Sequence, residues 1–132
     1  MTSFLLDTNH ASALMDDPER FAKRLAGLTD AEFGLCIPVI GELWFMVLNS
    51  SRIERNAAEL EKLLHASHIW PLDELAAHEF GQIRVELRRQ GRPIPQIDAQ
   101  IAAIARLNRL TVLTADAHFA SIRNLKTKNW LS

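Results

Sequence analysis

The chain has 132 residues, and its 15 Lys and Arg against 16 Asp and Glu give a net charge of −1. This balance excludes the strongly basic character of a dedicated nucleic-acid binder, but not an enzyme that holds a polyanion through a metal ion. The length fits a single domain over residues 1–132, and one cysteine, Cys36, excludes an intrachain disulfide. We find neither a signal-peptide pattern nor an apolar run of the roughly 20 residues that cross a membrane, and we expect a cytoplasmic protein.

Short apolar strands alternate with amphipathic helices along the chain. The pattern predicts strands at 3–6, 33–38, 68–72, 110–113 and near 129–131. It predicts helices at 9–16, 18–27, 38–49, 52–66, 74–90, 98–108 and near 117–122. This order favours an α/β fold, with a central parallel sheet of about five strands covered by helices on both faces. We expect the first strand at the centre of the sheet.

Two of the predicted strands end in an aspartate. Asp7 follows the run FLL, and Asp116 follows TVLTA. In an open parallel sheet, ligands bind at the carboxyl ends of the strands, so we expect both carboxylates at one functional edge. The alternative for either residue alone is that it only caps the helix that follows.

Glu42 lies in the most apolar segment of the chain, LCIPVIGELWFMVL. It is the only charged residue between Glu32 and Arg52, and apolar neighbours cover nearly the whole helix around it. A helix that is apolar all round is usually buried, and a buried carboxylate is costly unless it is paired or binds a cation. The pattern therefore predicts a buried Glu42 at a cation site, with a buried salt bridge to an arginine as the alternative.

Asp98 follows the turn PIPQI and begins a helix whose face continues through Ala102 and Ala105. These small residues leave space for a ligand beside the carboxylate, although Asp98 alone could be a helix N-cap. Four acids that meet at one edge cannot all stay ionised without a counter-charge, and a divalent cation supplies it. All-oxygen ligation suits Mg²⁺ or Mn²⁺ better than Zn²⁺.

No competing constellation is visible in the sequence. It contains no HExxH, no phosphate-binding glycine loop and no cysteine cluster. Its five histidines show no metal-ligand spacing, and we expect surface or helix positions for them, with only His118 near the proposed site. Cys36 lies in an apolar run and is expected to pack as a small hydrophobic residue.

Four segments of the chain resemble, in order, the motifs of PIN-domain ribonucleases, and in particular those of the VapC-type toxins of bacterial toxin–antitoxin pairs. They are LLDTN at 5–9, IPVIGEL at 37–43, IPQIDAQIAAIA at 94–105 and VLTADAHF at 112–119. Each motif is short, but the ordered set covers nearly the whole chain. The resemblance implies a PIN-like three-layer α/β/α fold.

The resemblance also implies a catalytic site that holds Mg²⁺ or Mn²⁺ and hydrolyses RNA phosphodiester bonds. Its members are Asp7, Glu42, Asp98 and Asp116, with Asn9 and Thr114 as supporting polar groups. We expect Asp7, Asp98 and Asp116 to be the metal ligands. We expect Glu42 or Asp116 to accept the proton of the attacking water.

The last motif departs from the pattern of the family. Many relatives carry an acid directly before its aromatic residue, whereas this chain has His118 before Phe119. The change removes one possible negative charge but none of the four core acids.

Substrate RNA requires positive charge near the site. Arg84 and Arg88 are four residues apart and share a helical face, and Arg92 lies in the following loop, so these arginines are candidates to guide an RNA backbone. The alternative is a solvated helix face on which the arginines pair with Glu79 or Glu86.

The helix over 38–49 is too apolar for one face of a small sheet to bury completely. We therefore predict a homodimer, with this helix as the candidate interface. The resemblance implies the homodimer as well, together with a VapB-like cognate antitoxin that covers the cleft in a heterotetramer or larger assembly.

Two other functions compete with a ribonuclease. A haloacid-dehalogenase-like phosphatase also begins at a strand that ends in Asp, but its chemistry needs a second acid where this chain has Asn9. The other alternative is a non-catalytic PIN-like binding module that retains the acids for structural reasons.

Overall fold

The computed structural model describes residues 2–28 and 30–131. The strands are β1 (Thr2–Leu6), β2 (Ala31–Cys36), β3 (His68–Trp70), β4 (Thr111–Leu113) and β5 (Lys126–Lys128). The helices are α1 (Thr8–Asp16), α2 (Pro18–Ala26), α3 (Ile37–Leu48), α4 (Ile53–Ala66), α5 (Glu74–Arg89) and α6 (Gln96–Asn108), followed by a short 3₁₀ helix (Ala117–Ser121). No helix within the described ranges is both long and apolar enough to cross a membrane.

The five strands form one parallel sheet in the order β3-β2-β1-β4-β5. This order confirms the predicted α/β/α class and the central place of β1. Leu5 pairs with Gly34 of β2 on one side and with Val112 of β4 on the other. Because β1 and β4 are parallel neighbours, the residues that follow Leu6 and Leu113 leave the sheet at the same edge.

Strand β1 and helix α6 form the centre of the core. Phe4, Leu5 and Leu6 are each no more than 1% exposed, as expected for a central parallel strand with helices on both faces. In α6 the residues from Ile101 to Ala105 are all buried. Their alanines have no bulk to hold neighbouring elements away, so α6 lies close to the rest of the core. Cys36 is buried as predicted, and its burial raises the pKa of the thiol to about 11.

The prediction of the last strand was wrong. β5 spans Lys126–Lys128, and its three residues are exposed, whereas the prediction placed the strand at the more apolar residues near 129–131. Trp130 instead packs into the core against Phe4, with ring centroids 4.9 Å apart. An edge strand of the composition Lys-Thr-Lys carries no hydrophobic pattern, and its place is set only by the pairing of its backbone with β4.

Helix α3 is only partly buried, in agreement with the prediction that it is too apolar for one face of the sheet to bury completely. Only Val39, Leu43 and Val47 form its buried stripe. Phe45 is 69% exposed and Leu48 is 61% exposed, so the outer face of this helix is apolar and accessible. The buried stripe of α3 covers its side of the core, and Glu42 lies outside that stripe, so the predicted burial of Glu42 is wrong.

A charged clasp joins α5 to α6. The Arg106 guanidinium donates through Nε to Glu79 Oε2 at 2.7 Å and through its two terminal nitrogens to both carboxylate oxygens of Glu86 at 2.9 Å. The side chains of all three residues are mostly removed from water. Paired, partly buried charges of this kind are costly to separate.

Removal of one partner of the clasp should destabilise the fold. We expect Arg106→Ala to lower the free energy of unfolding by about 2 kcal/mol, because Glu79 and Glu86 lose their counter-charge. The hydrogen bonds from Arg106 hold the pKa of Glu86 below its ordinary value of 4.5. The stabilisation is therefore complete above that pH and is lost as the pH falls through the lower pKa of the folded state.

Urea unfolding of the wild type and of Arg106→Ala between pH 3 and pH 7 measures this effect. Lys62→Ala is the control, since it breaks the exposed Lys62–Glu59 pair and should cost at most ~0.5 kcal/mol. A difference between wild type and Arg106→Ala that stays constant down to pH 3 would contradict the assignment.

Candidate active site

Asp7 ends β1 and begins α1, and it is only 6% exposed. Its Oδ1 accepts the backbone N–H of His10 at 2.8 Å and thereby caps the helix. Its own backbone N–H donates to the carbonyl of Leu113 at 3.1 Å, which continues the pairing of β1 with β4. The predicted cap is therefore present, and it does not remove Asp7 from the edge of the sheet.

Thr114 and Asp116 leave β4 beside Asp7. The backbone N–H of Thr114 donates to the carbonyl of Lys128 at 2.9 Å, and the Thr114 hydroxyl accepts the backbone N–H of Asp116 at 3.0 Å. The Asp116 carboxylate in turn accepts the backbone N–H of His118 at 2.9 Å and caps the 3₁₀ helix. Thr114 is also a hydrogen-bond partner of the Asp7 side chain, so one hydroxyl bridges the two strand ends.

Asp98 lies in the first turn of α6 and does not cap it. The residue at the N-cap position is Pro95, and no side chain caps this helix. The alternative of a capping Asp98 is therefore wrong. Its side chain is 14% exposed, and Oδ2 lies 3.2 Å from Nδ1 of His118. The carboxylate therefore makes no capping hydrogen bond in its own helix, and it faces the turn that carries Asp116.

The electrostatics of these residues show that the acids share one site. Burial raises the pKa of Asp98, and the negative charges of Asp116 and Asp7 raise it further, against a hydrogen bond from His118. Burial would also raise the pKa of Asp7, but hydrogen bonds from His10 and Thr114 outweigh it, and the pKa lies below its ordinary value. We refer to Asp7, Asp98 and Asp116 as the acidic edge.

His118 is the residue that most changes the predicted site. Its Nδ1 lies 3.2 Å from Asp98 Oδ2 and 3.0 Å from Asp116 Oδ1, so one ring nitrogen contacts two carboxylates. One ligand atom from each of Asp98, Asp116 and His118 lies within 4.8 Å of the others, which is close enough for the three side chains to share one cation. The sequence predicted His118 near the site, but it did not predict the contact with both carboxylates.

Glu42 and Asn9 take no part in the contacts among Asp98, Asp116 and His118. Both are exposed, Glu42 in the second turn of α3 and Asn9 in the first turn of α1. The predicted burial of Glu42 is wrong, and so is the alternative of a buried salt bridge. Because α3 follows β2, which is a direct neighbour of β1, Glu42 still lies on a helix that starts from the same edge of the sheet as Asp7.

The arginines of α5 border a groove beside α6. Arg84 and Arg88 are exposed and line a groove of about 620 Å³ together with Ile94 and Ala99, the residue after Asp98. The guanidinium of Arg84 lies 5.5 Å from the centre of the Phe80 ring. Arg92 is also exposed, in the loop before α6.

The alternative that these arginines pair with Glu79 or Glu86 is wrong. Both acids are bound by Arg106. Positive charge on this side of α5 is therefore not consumed by the two acids that were its predicted partners.

Comparison with known proteins agrees with this architecture. The PIN domain family model matches residues 4–125. The chain is 30% identical over 131 residues to the "tRNA(fMet)-specific endonuclease VapC" of Shigella flexneri, an alignment that covers 98% of this chain and 99% of the relative. It is 29% identical over 134 residues to "Ribonuclease VapC2" of Haemophilus influenzae, with 99% and 100% covered.

Solved structures with the same fold include toxin–antitoxin complexes. A DNA-bound VapBC from Salmonella typhimurium contains a chain that is 30% identical, with a TM-score of 0.89 over 98% of this chain and 99% of that one. VapBC2 from Rickettsia felis, bound to a promoter DNA fragment, contains a chain that is 26% identical, with a TM-score of 0.89 over 98% and 99%. The present chain belongs to the PIN domain family and, within it, to the VapC group.

Proposed function

We propose that this chain is a metal-dependent endoribonuclease and the toxin of a toxin–antitoxin pair. The observation that carries the proposal is the convergence of Asp7, Asp98 and Asp116 at the carboxyl edge of the sheet, in a chain that aligns from end to end with VapC ribonucleases. Membership in the PIN family also removes the support for a haloacid-dehalogenase-like phosphatase.

The donor set of the site fits a divalent cation. Asp98 and Asp116, with Asp7 beside them, bring negative charge together, and His118 adds a nitrogen donor at 3.0–3.2 Å from two of the carboxylates. Mg²⁺ prefers oxygen ligands, whereas divalent transition-metal ions such as Mn²⁺ accept an imidazole nitrogen beside carboxylates more readily. Of the two ions that the family uses, the site therefore favours Mn²⁺ over Mg²⁺.

A bound divalent cation supplies positive charge to a scissile phosphate and lowers the pKa of a water molecule that attacks it. The residues of the chain provide the geometry for that chemistry. Asp7 is held by α1 and Thr114, and Asp98 is held by α6, so the carboxylates meet the substrate already oriented. Asp116, with a side chain that is 38% exposed, and the exposed Glu42 are the two acids in reach of solvent to accept a proton.

RNA binding is proposed along α5 and the loop before α6. Arg84 and Arg88 border a groove that reaches Ala99, and Arg92 lies in the loop that leads to Asp98. A phosphate backbone that follows these arginines arrives at the acidic edge. The Shigella flexneri relative is named for its action on tRNA(fMet), and this tRNA is the first substrate to test.

The exposed apolar face of α3 indicates partners. Phe45, Met46 and Leu48 leave an accessible apolar surface on one helix, larger than isolated surface residues account for. We propose a homodimer that buries this surface and a VapB-like antitoxin that completes a heterotetramer or larger assembly, as the VapBC complexes of the family suggest. The proposed place of action is the cytoplasm.

A non-catalytic binding module is the remaining alternative. It would keep the fold and bind Mn²⁺, which would quench tryptophan fluorescence, but it would not cleave RNA. The crowding of Asp98 by two other carboxylates favours a cation site over a purely structural role for the acids, and RNA cleavage separates catalysis from cation binding alone.

Loss of one carboxylate at the acidic edge should abolish cleavage. We expect Asp7→Asn and Asp98→Asn to reduce Mn²⁺-dependent RNA cleavage at least about a hundredfold, because each removes a charge that holds the cation. Both variants should fold, since asparagine also caps helices at position 7 and Asp98 caps none. Gel assays with and without chelator measure the effect, and Glu54→Gln on the exposed face of α4 is the control. Cleavage at the wild-type rate by Asp7→Asn would refute the assignment.

Nitrogen ligation by His118 has a spectroscopic signature. Pulsed EPR of the Mn²⁺-loaded protein should show modulation from a directly bound ¹⁴N, and His118→Gln should lose it. His118→Asp should bind the ion through oxygen alone and reduce the preference for Mn²⁺ over Mg²⁺ by about fivefold or more. His78→Gln, on the exposed face of α5, should keep the wild-type spectrum. A wild-type spectrum without nitrogen coupling would exclude His118 from the ligand set.

Charge reversal in the groove should weaken RNA binding. We expect the Arg84→Glu, Arg88→Glu double variant to lose about tenfold or more in affinity for RNA at low salt, with a shallower salt dependence. The catalytically inactive Asp98→Asn background allows binding to be measured by fluorescence anisotropy. The control is the Arg55→Glu, Lys62→Glu double variant on α4. It changes the net charge by the same amount on a different helix. Equal losses in the two double variants would remove this groove as the RNA path.

A further inference from the structure

His10 lies in helix α1, as expected, but it is fully buried. It also contacts Asp7, so the expectation that only His118 lies near the site was wrong. Both ring nitrogens have partners. Nδ1 lies 3.2 Å from Asp7 Oδ1, and Nε2 accepts the backbone N–H of Trp130 at 3.1 Å. A backbone N–H can only donate, so Nε2 carries a lone pair and the proton of the neutral ring is on Nδ1. The imidazole therefore donates to Asp7.

Aromatic packing holds the His10 ring and Trp130 in place. The His10 ring meets the edge of Phe21, with centroids 6.1 Å apart and planes at 79°. Trp130, 5% exposed, packs against Phe21 and Phe33 at 6.1 and 5.8 Å. The backbone N–H that selects the tautomer of His10 is therefore held by the side chain of its own residue in the core.

The effect on Asp7 exceeds what helix capping needs. A cap requires one acceptor contact, and the backbone N–H of His10 provides it at 2.8 Å. The imidazole brings a second donor to the same oxygen, Oδ1, from the same residue. Two donors on Oδ1 restrict rotation of the carboxylate and leave Oδ2 with the greater remaining capacity for other partners.

We propose that His10 is a positioning residue, whose Nδ1–H holds the Asp7 carboxylate in the orientation that a cation at the acidic edge requires, while the Trp130 backbone keeps the imidazole in the tautomer that can donate. The inference rests on the proposed function in that the cation binds beside Asp7. Partners that orient a ligand in this way typically change metal affinity by roughly tenfold to a hundredfold when they are removed.

A pair of amide variants separates positioning from a role in packing alone. The amide nitrogen of Asn in His10→Asn takes the place of Nδ1 and can still donate to Asp7, but it cannot reach the Trp130 N–H. Gln in His10→Gln places its amide oxygen near the position of Nε2 and can accept from Trp130, but it withdraws the donor from Asp7. The Gln variant is also closer in volume to His and should be the more stable of the two.

The positioning role therefore predicts that, of the two variants, the one that binds the ion more tightly is the less stable. We expect His10→Asn to bind Mn²⁺ within about threefold of the wild type and His10→Gln to bind it at least about tenfold more weakly. Urea unfolding in chelator gives the order of stability, and EPR titration of free Mn²⁺ gives the affinities. His78→Gln, exposed on α5, is the control for a His→Gln change and should match the wild type in both.

Ring-nitrogen NMR of the metal-free wild type provides a readout that needs no cation. It should show His10 as a neutral ring protonated on Nδ1, and a ring protonated on Nε2 would overturn the inference. So would Mn²⁺ affinities that follow the order of stability, or a His10→Gln variant that binds as tightly as the wild type. If the wild type itself does not bind Mn²⁺, the proposed function fails together with the inference, whereas normal binding by His10→Gln removes the inference alone.

Discussion

The repulsion among carboxylates at one edge of the sheet is the constraint on which this structure depends. Asp98 shows it most directly, because burial and the charges of Asp116 and Asp7 all favour its neutral form. A fold that brings such groups together must hold each of them by other means. The ionised form of Asp98 is therefore disfavoured at the acidic edge, and the proposed cation would relieve this.

The three acids are held in three different ways. Asp7 is fixed by hydrogen bonds from α1 and Thr114, and Asp116 by the turn that leads into the 3₁₀ helix. Asp98 has no such bonds in its own helix and depends on His118 and on the position of α6. That position is set at a distance, by the alanine-rich buried face of α6 and by the clasp between Arg106 and α5. Packing far from the site thus decides where the third carboxylate lies.

Two histidines meet the acids in opposite environments. His10 is enclosed by aromatic rings, and its partners leave it only the role of a neutral donor to Asp7. His118 is half exposed and contacts two carboxylates with one nitrogen, so it is available as a cation ligand. The same type of side chain is thus proposed to orient a carboxylate in one position and to supply a cation ligand in the other, and the difference comes from burial and from the partner of the second ring nitrogen.

The order of strands and helices, the central β1 and the placement of Asp7 and Asp116 at the ends of strands follow from local patterns in the sequence, because buried parallel strands are short apolar runs and a residue that ends one lies at the edge of the sheet. The position of β5 was beyond such patterns, since a Lys-Thr-Lys edge strand is defined by its backbone partner. The exposure of Glu42 could not be predicted from such patterns either, because the composition of α3 does not show which of its apolar faces packs against the core. His10 is the clearest case: its place in α1 is local, but its tautomer is set by a backbone group 120 residues later in the chain. Local periodicity thus determined which elements form, whereas the partners of buried polar groups were decided only when distant segments packed together.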